Sequence, residues 1–211
     1  MHISPNFVSH VFTVTASRMR GIGFRKRKPG IFTLPLNEDV LGWVGLNTAN
    51  YAGGVLEVNP TVGIRHQKLE TLVSNLLGLK PHVYIPPTIC TPIGYLMPKK
   101  QFAAWSFVVG TDTEALVSEM VESVEKVGKP FMERNANLLA IYETMRSSGL
   151  GLAHQLDYRI PVACVLLGKN TEAGEFLDAK LRSISRKGDA ASILFREFAA
   201  RLREMSGRRD A

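Results

Sequence analysis

The sequence predicts an α+β protein, in which a mainly antiparallel sheet of about five strands is packed by helices and followed by a helical C-terminal half. Two observations carry this prediction. Three short strand-like segments joined by tight turns follow one another between residues 31 and 64, as in an antiparallel meander. From residue 111 onward, apolar residues recur at helical spacing. We expect residues 1–110 to form the sheet domain and residues 111–211 to form a helical region packed on it as one unit.

The first element is predicted to be a helix over residues 5–20. Ser4 is a favourable N-cap, and Pro5 suits the first helical position, where no backbone N–H is needed. Apolar residues then recur three or four positions apart, and Gly21 or Gly23 ends the pattern.

Three strands are expected next, over residues 31–36, 40–48 and 55–64. In the third, apolar and polar side chains alternate, which is typical of a strand with one buried face. The pattern then becomes helical over residues 66–77 and is closed by Gly78. A proline-rich loop is predicted over residues 80–92, and two further strands over 93–97 and 102–109, paired through a turn at 98–100.

The C-terminal half is predicted to begin with a capping box in which Thr111 and Glu114 satisfy the exposed amides of a helix start. Gly128 and Pro130 are expected to break this helix. Further helices are predicted over residues 130–146, 171–183 and 189–205, with an apolar stretch at 160–167. The segments on either side of Gly168 suggest a helical hairpin.

The charge distribution is the most informative feature for function. No acidic residue precedes Glu38, and the first 37 residues carry six of the seven net positive charges of the chain. We call the six basic residues the basic junction: Arg18, Arg20, Arg25, Lys26, Arg27 and Lys28. Such a block is a candidate binding surface for nucleic acid or an acidic protein. The structural alternative is that its cations cap a helix C-terminus and protect an edge strand from aggregation.

A second group of basic residues lies near the C-terminus: Lys180, Arg182, Arg186, Lys187, Arg196, Arg201, Arg203, Arg208 and Arg209. Nucleic-acid binding would be favoured if this group and the basic junction shared a face. A smaller candidate for anion binding comprises Asn59, Arg65 and His66, where a helix start and a guanidinium could hold a phosphate or carboxylate. The structural alternative is that His66 caps the helix and Arg65 pairs with an acid.

We predict no catalytic residues, no metal site and no cofactor. The two cysteines, Cys90 and Cys164, are far apart, so we expect both to be buried apolar residues in a reducing compartment. Histidines lack the spacing of metal-binding motifs. No apolar run reaches the length needed to span a bilayer, and the N-terminal segment lacks the order of a signal peptide. We therefore expect a cytoplasmic protein without membrane association, whose oligomeric state the sequence leaves open.

The segment GFRKRKPGIF, which begins at Gly23, resembles a broad group of uncharacterised bacterial α+β domains. In those domains a GF-[KR]-[KR] junction follows an amphipathic helix and opens a β meander. The resemblance covers residues 7–109, with weaker support around Gly168. Members of such families are often encoded near toxin, immunity or phage-defence genes. The resemblance therefore implies a non-enzymatic cytoplasmic interaction protein of the immunity, antitoxin or phage-defence accessory kind, whose partner is another protein.

Two alternatives remain open at this point. The protein could bind nucleic acid through the basic junction, helped by the C-terminal arginines. It could instead hold a small anion, or act as an enzyme, around Arg65 and His66.

Overall fold

The computed structural model describes residues 4–148, 150–151 and 153–207. The chain divides into two compact units. Unit 1 comprises the described parts of Met1–Arg65 and Ile89–Ala136, and unit 2 those of His66–Thr88 and Asn137–Ala211. An antiparallel sheet lies in the N-terminal half and helices make up most of the C-terminal half, so the predicted α+β class is confirmed. The domain boundary at residue 110 stays a prediction.

Unit 1 is built on a six-stranded sheet in the order β1-β2-β3-β4-β5, with β6 also paired to β4. The strands, in chain order, are β1 Arg25–Lys28, β2 Ile31–Pro35, β3 Val40–Tyr51, β4 Val55–His66, β5 Ile89–Pro92 and β6 Trp105–Val108. The β2 strand pairs antiparallel with β1 and β3, and β4 pairs antiparallel with β5 and β6. The meander predicted between residues 31 and 64 is therefore confirmed.

The prediction of a strand over residues 93–97 is wrong. Ile93–Tyr95 is a single 3-10 turn, and the strand lies just before it, inside the predicted proline-rich loop. The turn at 98–100 does not pair two strands, because β5 and β6 both pair with β4, along different halves of its length. A strand of 12 residues is long enough to pair with two short strands, one after the other, along the same edge. A short apolar run in the sequence does not show which strand it will pair with.

The first helix, α1, spans Pro5–Gly21 and confirms the predicted start. The Oγ atom of Ser4 accepts a hydrogen bond from the backbone N–H of Phe7 at 3.2 Å, and Pro5 occupies the first turn. The buried side of α1 includes Val11, Val14 and Met19 and packs on α3.

The α3 helix, Thr113–Ser123, is not broken where the sequence predicts. A π-helical segment, Val124–Gly128, carries the chain directly into α4, Lys129–Arg134. The wider π turn accommodates Pro130, which has no N–H to donate. A Cβ at Gly128 would lie 3.2 Å from Cγ1 of Val62, so this glycine permits close packing on β4.

The N-cap of α3 is Asp112, which corrects the capping box predicted at Thr111. The Oδ1 atom of Asp112 accepts a hydrogen bond from the backbone N–H of Ala115 at 3.0 Å. The Thr111 hydroxyl instead donates to the backbone carbonyl of Val108 at 2.7 Å. The chain therefore enters the helix one residue later than the sequence pattern indicates.

We expect Asp112→Ala to destabilise unit 1 by about 1 kcal/mol, because one helix-start amide loses its acceptor. Asp112→Asn keeps a side-chain oxygen at the cap, so it should change the free energy of unfolding by only a few tenths of that amount. Urea unfolding followed by tryptophan fluorescence measures both variants. Equal losses in the two variants would contradict the capping role of this side chain.

Unit 2 is helical. Its helices are α2 Gln67–Leu76, α5 Leu138–Ser148, α6 Ala153–Leu166, α7 Asn170–Ser183 and α8 Ala190–Gly207. The helix predicted over residues 130–146 is therefore wrong, since α4 ends at Arg134 and α5 begins at Leu138. The apolar stretch at 160–167 is the C-terminal part of α6, which contains Pro161. The α6 and α7 helices pack against each other, which confirms the predicted hairpin around Gly168.

Candidate functional site

The basic junction includes a complete edge strand. Four of its residues, Arg25–Lys28, form β1, which is the first strand of the sheet and pairs on one side with β2. All four side chains are exposed. Arg25 lies opposite Thr33 and Lys26 opposite Phe32, whereas the register shifts between Lys26 and Lys28. We call this segment the basic edge strand.

The elements next to the basic edge strand in the sequence supply no compensating charge, whereas three glutamates of α3 and the π-helical segment after it line a cavity with the end of α1. The elements before and after it, α1 and β2, contain no aspartate or glutamate, because the first acidic residue of the chain is Glu38. Within the described residues, Arg25, Lys26 and Lys28 form no ion pair. Arg27 lies in the register shift, and its Nε atom donates a hydrogen bond to Oγ1 of Thr33 at 2.7 Å. At least three cationic groups are thus available to an anion in solution.

The two arginines of α1 have different roles. Arg18 pairs with Glu114 of α3, with Nη2 and Oε2 3.1 Å apart and both side chains more than half exposed. Arg20 is exposed in the last helical turn, where a cation complements the C-terminal end of the helix dipole. Exposed ion pairs of this kind contribute little to stability, so Arg18 can exchange its partner at low cost.

The irregular register of β1 affects which partner can bind. A charged edge strand with a register shift is a poor template for adding another strand, because an irregular ladder does not present its N–H and C=O groups in a regular row. Binding through backbone hydrogen bonds is thus disfavoured at this edge. The cationic side chains remain, and they suit phosphate or carboxylate groups.

The predicted anion site around residue 65 is buried. Asn59 is 7% exposed, and its Nδ2 donates to the backbone carbonyl of Ala103. Arg65 is 1% exposed. His66 caps α2, because its Nδ1 accepts a hydrogen bond from the backbone N–H of Leu69 at 3.2 Å. The capping alternative for His66 therefore agrees with the structure, and anion binding at these three residues stays a prediction.

A buried ion pair in unit 2 has no signal in the sequence. The Nε and Nη2 atoms of Arg159 donate to the two carboxylate oxygens of Glu70, at 2.7 and 3.1 Å, and Nη1 donates to Oε1 of Gln155 at 2.6 Å. The side chains of Arg159 and Glu70 are 3% and 4% exposed. This pair joins α2 to α6 across 89 positions of sequence.

The basic residues near the C-terminus belong to unit 2, and several stabilise it. Arg196 donates to the backbone carbonyls of Ile184 and Lys187, at 2.8 and 2.6 Å. Arg201 donates to the carbonyl of Leu76 at 2.7 Å, near the end of α2. Arg203 pairs with Asp178. Arg208 and Arg209 lie outside the described residues.

A polar cluster links α5, α6 and α7. The Tyr142 hydroxyl donates to Oε2 of Glu172 and accepts from Nη1 of Arg146 at 2.8 Å. Burial and the Glu172 carboxylate raise the pKa of Tyr142 to about 12, so the hydroxyl stays protonated at neutral pH. Burial also raises the pKa of the Cys164 thiol, so thiolate reactivity is disfavoured there. Cys164 is buried as predicted, whereas Cys90 is only partly buried.

None of the described helices is both long and apolar enough to cross a bilayer. Within residues 4–207, leaving aside those the structure does not describe, no group of three histidine, cysteine or carboxylate side chains is arranged to hold a metal ion.

Comparison with known proteins does not assign this chain to a family. No protein-family model matches the chain, and neither does any curated protein or solved structure. The resemblance noted at the GFRKRKPGIF segment therefore stays a prediction. The basic edge strand is the feature from which a function can be argued.

Proposed function

We propose that this protein is a nucleic-acid-binding protein that holds the phosphate backbone with the basic edge strand. The observation that carries the proposal is that Arg25–Lys28 forms an edge strand whose four side chains are all exposed. The flanking α1 and β2 contain no acidic residue that could neutralise it. A cytoplasmic location, where nucleic acid is accessible, is part of the proposal.

The dimensions of β1 suit a densely charged polymer. Four strand residues extend over about 13 Å, since each adds roughly 3.3 Å. Duplex DNA presents one negative charge per about 1.7 Å of its axis, so such a strand meets several phosphates at once. In the proposal, the lysine and arginine side chains contact the phosphate backbone, which carries no sequence information. We therefore expect affinity without strong sequence preference.

Binding should depend steeply on salt. If the four residues neutralise four phosphates, a fourfold rise in salt concentration is expected to weaken binding by about 50- to 150-fold, the lower value applying to single strands. A variant with alanine at Arg25, Lys26, Arg27 and Lys28 should lose most of its affinity and most of this salt dependence. Electrophoretic shift or fluorescence anisotropy with duplex and single-stranded oligonucleotides at two salt concentrations measures both quantities.

The matched control removes four positive charges elsewhere. Lys80, Lys99, Lys100 and Arg134 are exposed and lie outside the basic edge strand. Their replacement by alanine lowers the net charge by the same amount, so a protein that binds only through its overall charge would be weakened equally. Equal losses in the two quadruple variants would contradict the proposed site.

The same experiment separates nucleic acid from an acidic protein partner. An interaction protein of the immunity, antitoxin or phage-defence accessory kind would fail to shift any oligonucleotide, even at low salt. It would still bind an acidic protein through the basic edge strand. Absence of oligonucleotide binding at low salt would therefore reject the nucleic-acid proposal, and loss of a protein complex in the Arg25–Lys28 variant would favour the alternative.

A further inference from the structure

Unit 2 contains a cleft between α6, the end of α7 and the start of α8. Its volume is about 420 Å³, within the range of pockets that bind small organic molecules. The cleft lies in a part of the chain that the proposed nucleic-acid surface does not use, since the basic edge strand belongs to unit 1.

Aromatic and aliphatic side chains form one part of the cleft. Tyr158 and Phe195 both line it, and their ring centroids are 5.6 Å apart. The Phe198 ring packs against both, with its centroid 4.9 Å from that of Tyr158 in a T-shaped arrangement and 5.8 Å from that of Phe195. Ile184 adds an aliphatic wall. Phe195 is only 3% exposed and holds the partly exposed Tyr158 in place, so the Tyr158 ring offers the apolar surface on which a planar group can stack.

Charged side chains of both signs form the rest of the cleft. The Nζ atom of Lys180 lies 2.6 Å from Oδ2 of Asp157, and 33% and 26% of the two side chains are exposed. Lys187 and Asp189 also line the cleft, and Asp189 accepts hydrogen bonds from the N–H and hydroxyl of Ser192, at 2.9 and 3.0 Å. Two ammonium groups thus stand beside two carboxylates in the lining of the cleft.

The charged groups still have capacity for a ligand. An ammonium has three donors and a carboxylate has about four acceptor positions, so the Lys180–Asp157 pair uses only part of each. The pair is partly exposed, and exchanging one contact for another costs little there. Burial raises the pKa of Tyr158, and the neighbouring Asp157 charge adds to the rise. The Tyr158 hydroxyl therefore remains neutral and able to donate a hydrogen bond.

We propose that this cleft binds a small zwitterion with an aromatic body, as in an aromatic α-amino acid. The ligand carboxylate meets Lys180 or Lys187, its ammonium meets Asp157 or Asp189, and its ring stacks on Tyr158. A ligand with only one charge makes one of these two charge-assisted contacts, whereas a zwitterion makes both. The cleft thus selects for both charges and for the ring.

Isothermal titration calorimetry with the full chain tests this selection. The first probe, L-phenylalanine, has both charges and the ring. Phenethylamine lacks the carboxylate, 3-phenylpropanoate lacks the ammonium, and L-leucine lacks the ring. L-Phenylalanine is expected to bind roughly tenfold or more tightly than each of the singly charged probes. It should also bind more tightly than L-leucine.

A variant whose new side chain fills the cleft tests whether L-phenylalanine binds there. Ala191 lines the cleft and is exposed, so Ala191→Trp should fold normally and abolish binding of L-phenylalanine. Ala200 is exposed on the same helix outside the cleft, and Ala200→Trp is the control that should bind as the unmodified protein does. Oligonucleotide binding should be unchanged in both variants, which keeps this test separate from that of the basic edge strand.

Three outcomes would overturn the proposal. They are absence of L-phenylalanine binding at millimolar concentration, equal binding of 3-phenylpropanoate or phenethylamine, and retention of binding in Ala191→Trp. Binding of L-phenylalanine that exceeds the other probes and disappears in Ala191→Trp alone would support it.

Discussion

Arg159→Ala is expected to destabilise unit 2 by about 3–5 kcal/mol, because it leaves the Glu70 carboxylate buried without its bidentate partner. Both carboxylate oxygens of Glu70 accept hydrogen bonds from Arg159, and each of the two side chains is less than 5% exposed. A loss of this size is a large fraction of the total stability of an ordinary domain. Urea unfolding followed by circular dichroism at the helix band measures the change.

Arg203→Ala is the matched control for this experiment. Arg203 also pairs with an acid inside unit 2, Asp178, but the two side chains are 47% and 54% exposed. An exposed pair contributes about 0–1 kcal/mol, since water solvates both charges when the pair opens. If Arg159→Ala lost no more stability than Arg203→Ala, the Glu70–Arg159 pair would not hold α2 to α6.

Gly63→Val should destabilise unit 1 by about 3 kcal/mol or more, through overlap that the sheet cannot relieve. Gly63 lies opposite Cys90 in the β4–β5 ladder. A Cβ at residue 63 would overlap the backbone carbonyl of Ile89 and lie 2.7 Å from the Cβ of Cys90. Because a strand backbone occupies the space, β5 would have to move away from β4 and lose its hydrogen bonds.

Tryptophan fluorescence is suited to this test, since both tryptophans, Trp43 and Trp105, belong to unit 1. Gly174→Ala, which lies in unit 2 and is therefore followed by circular dichroism at the helix band, provides the opposite case. Gly174 lies in α7, and a Cβ there meets nothing within 4 Å. Alanine should stabilise that helix by about 0.5–1 kcal/mol, because glycine loses more backbone entropy on folding. A Gly63→Val protein as stable as the unmodified one would contradict the close approach of β4 and β5.

Local chemistry is enough to predict much of this protein. The Ser4 cap with Pro5, the meander between residues 31 and 64, and the end of α2 shortly before Gly78 all follow from interactions between residues close in sequence. The exposure of the basic block is also predictable, because a block of cations without nearby acids cannot be buried. Its composition and its place between a helix and a strand are visible in the sequence.

The sequence alone does not predict contacts between residues that are far apart along the chain. The register shift in β1, the two partners of β4 and the continuous path through Gly128 into α4 depend on which segments pack together. The Glu70–Arg159 pair and the cleft beside Tyr158 bring together side chains from separate helices. Periodicity and propensity describe only neighbours along the chain, whereas burial and long-range pairing are set by tertiary packing. The positive charge of the N-terminal segment was therefore evident from the sequence, and its display on a sheet edge became evident only from the fold.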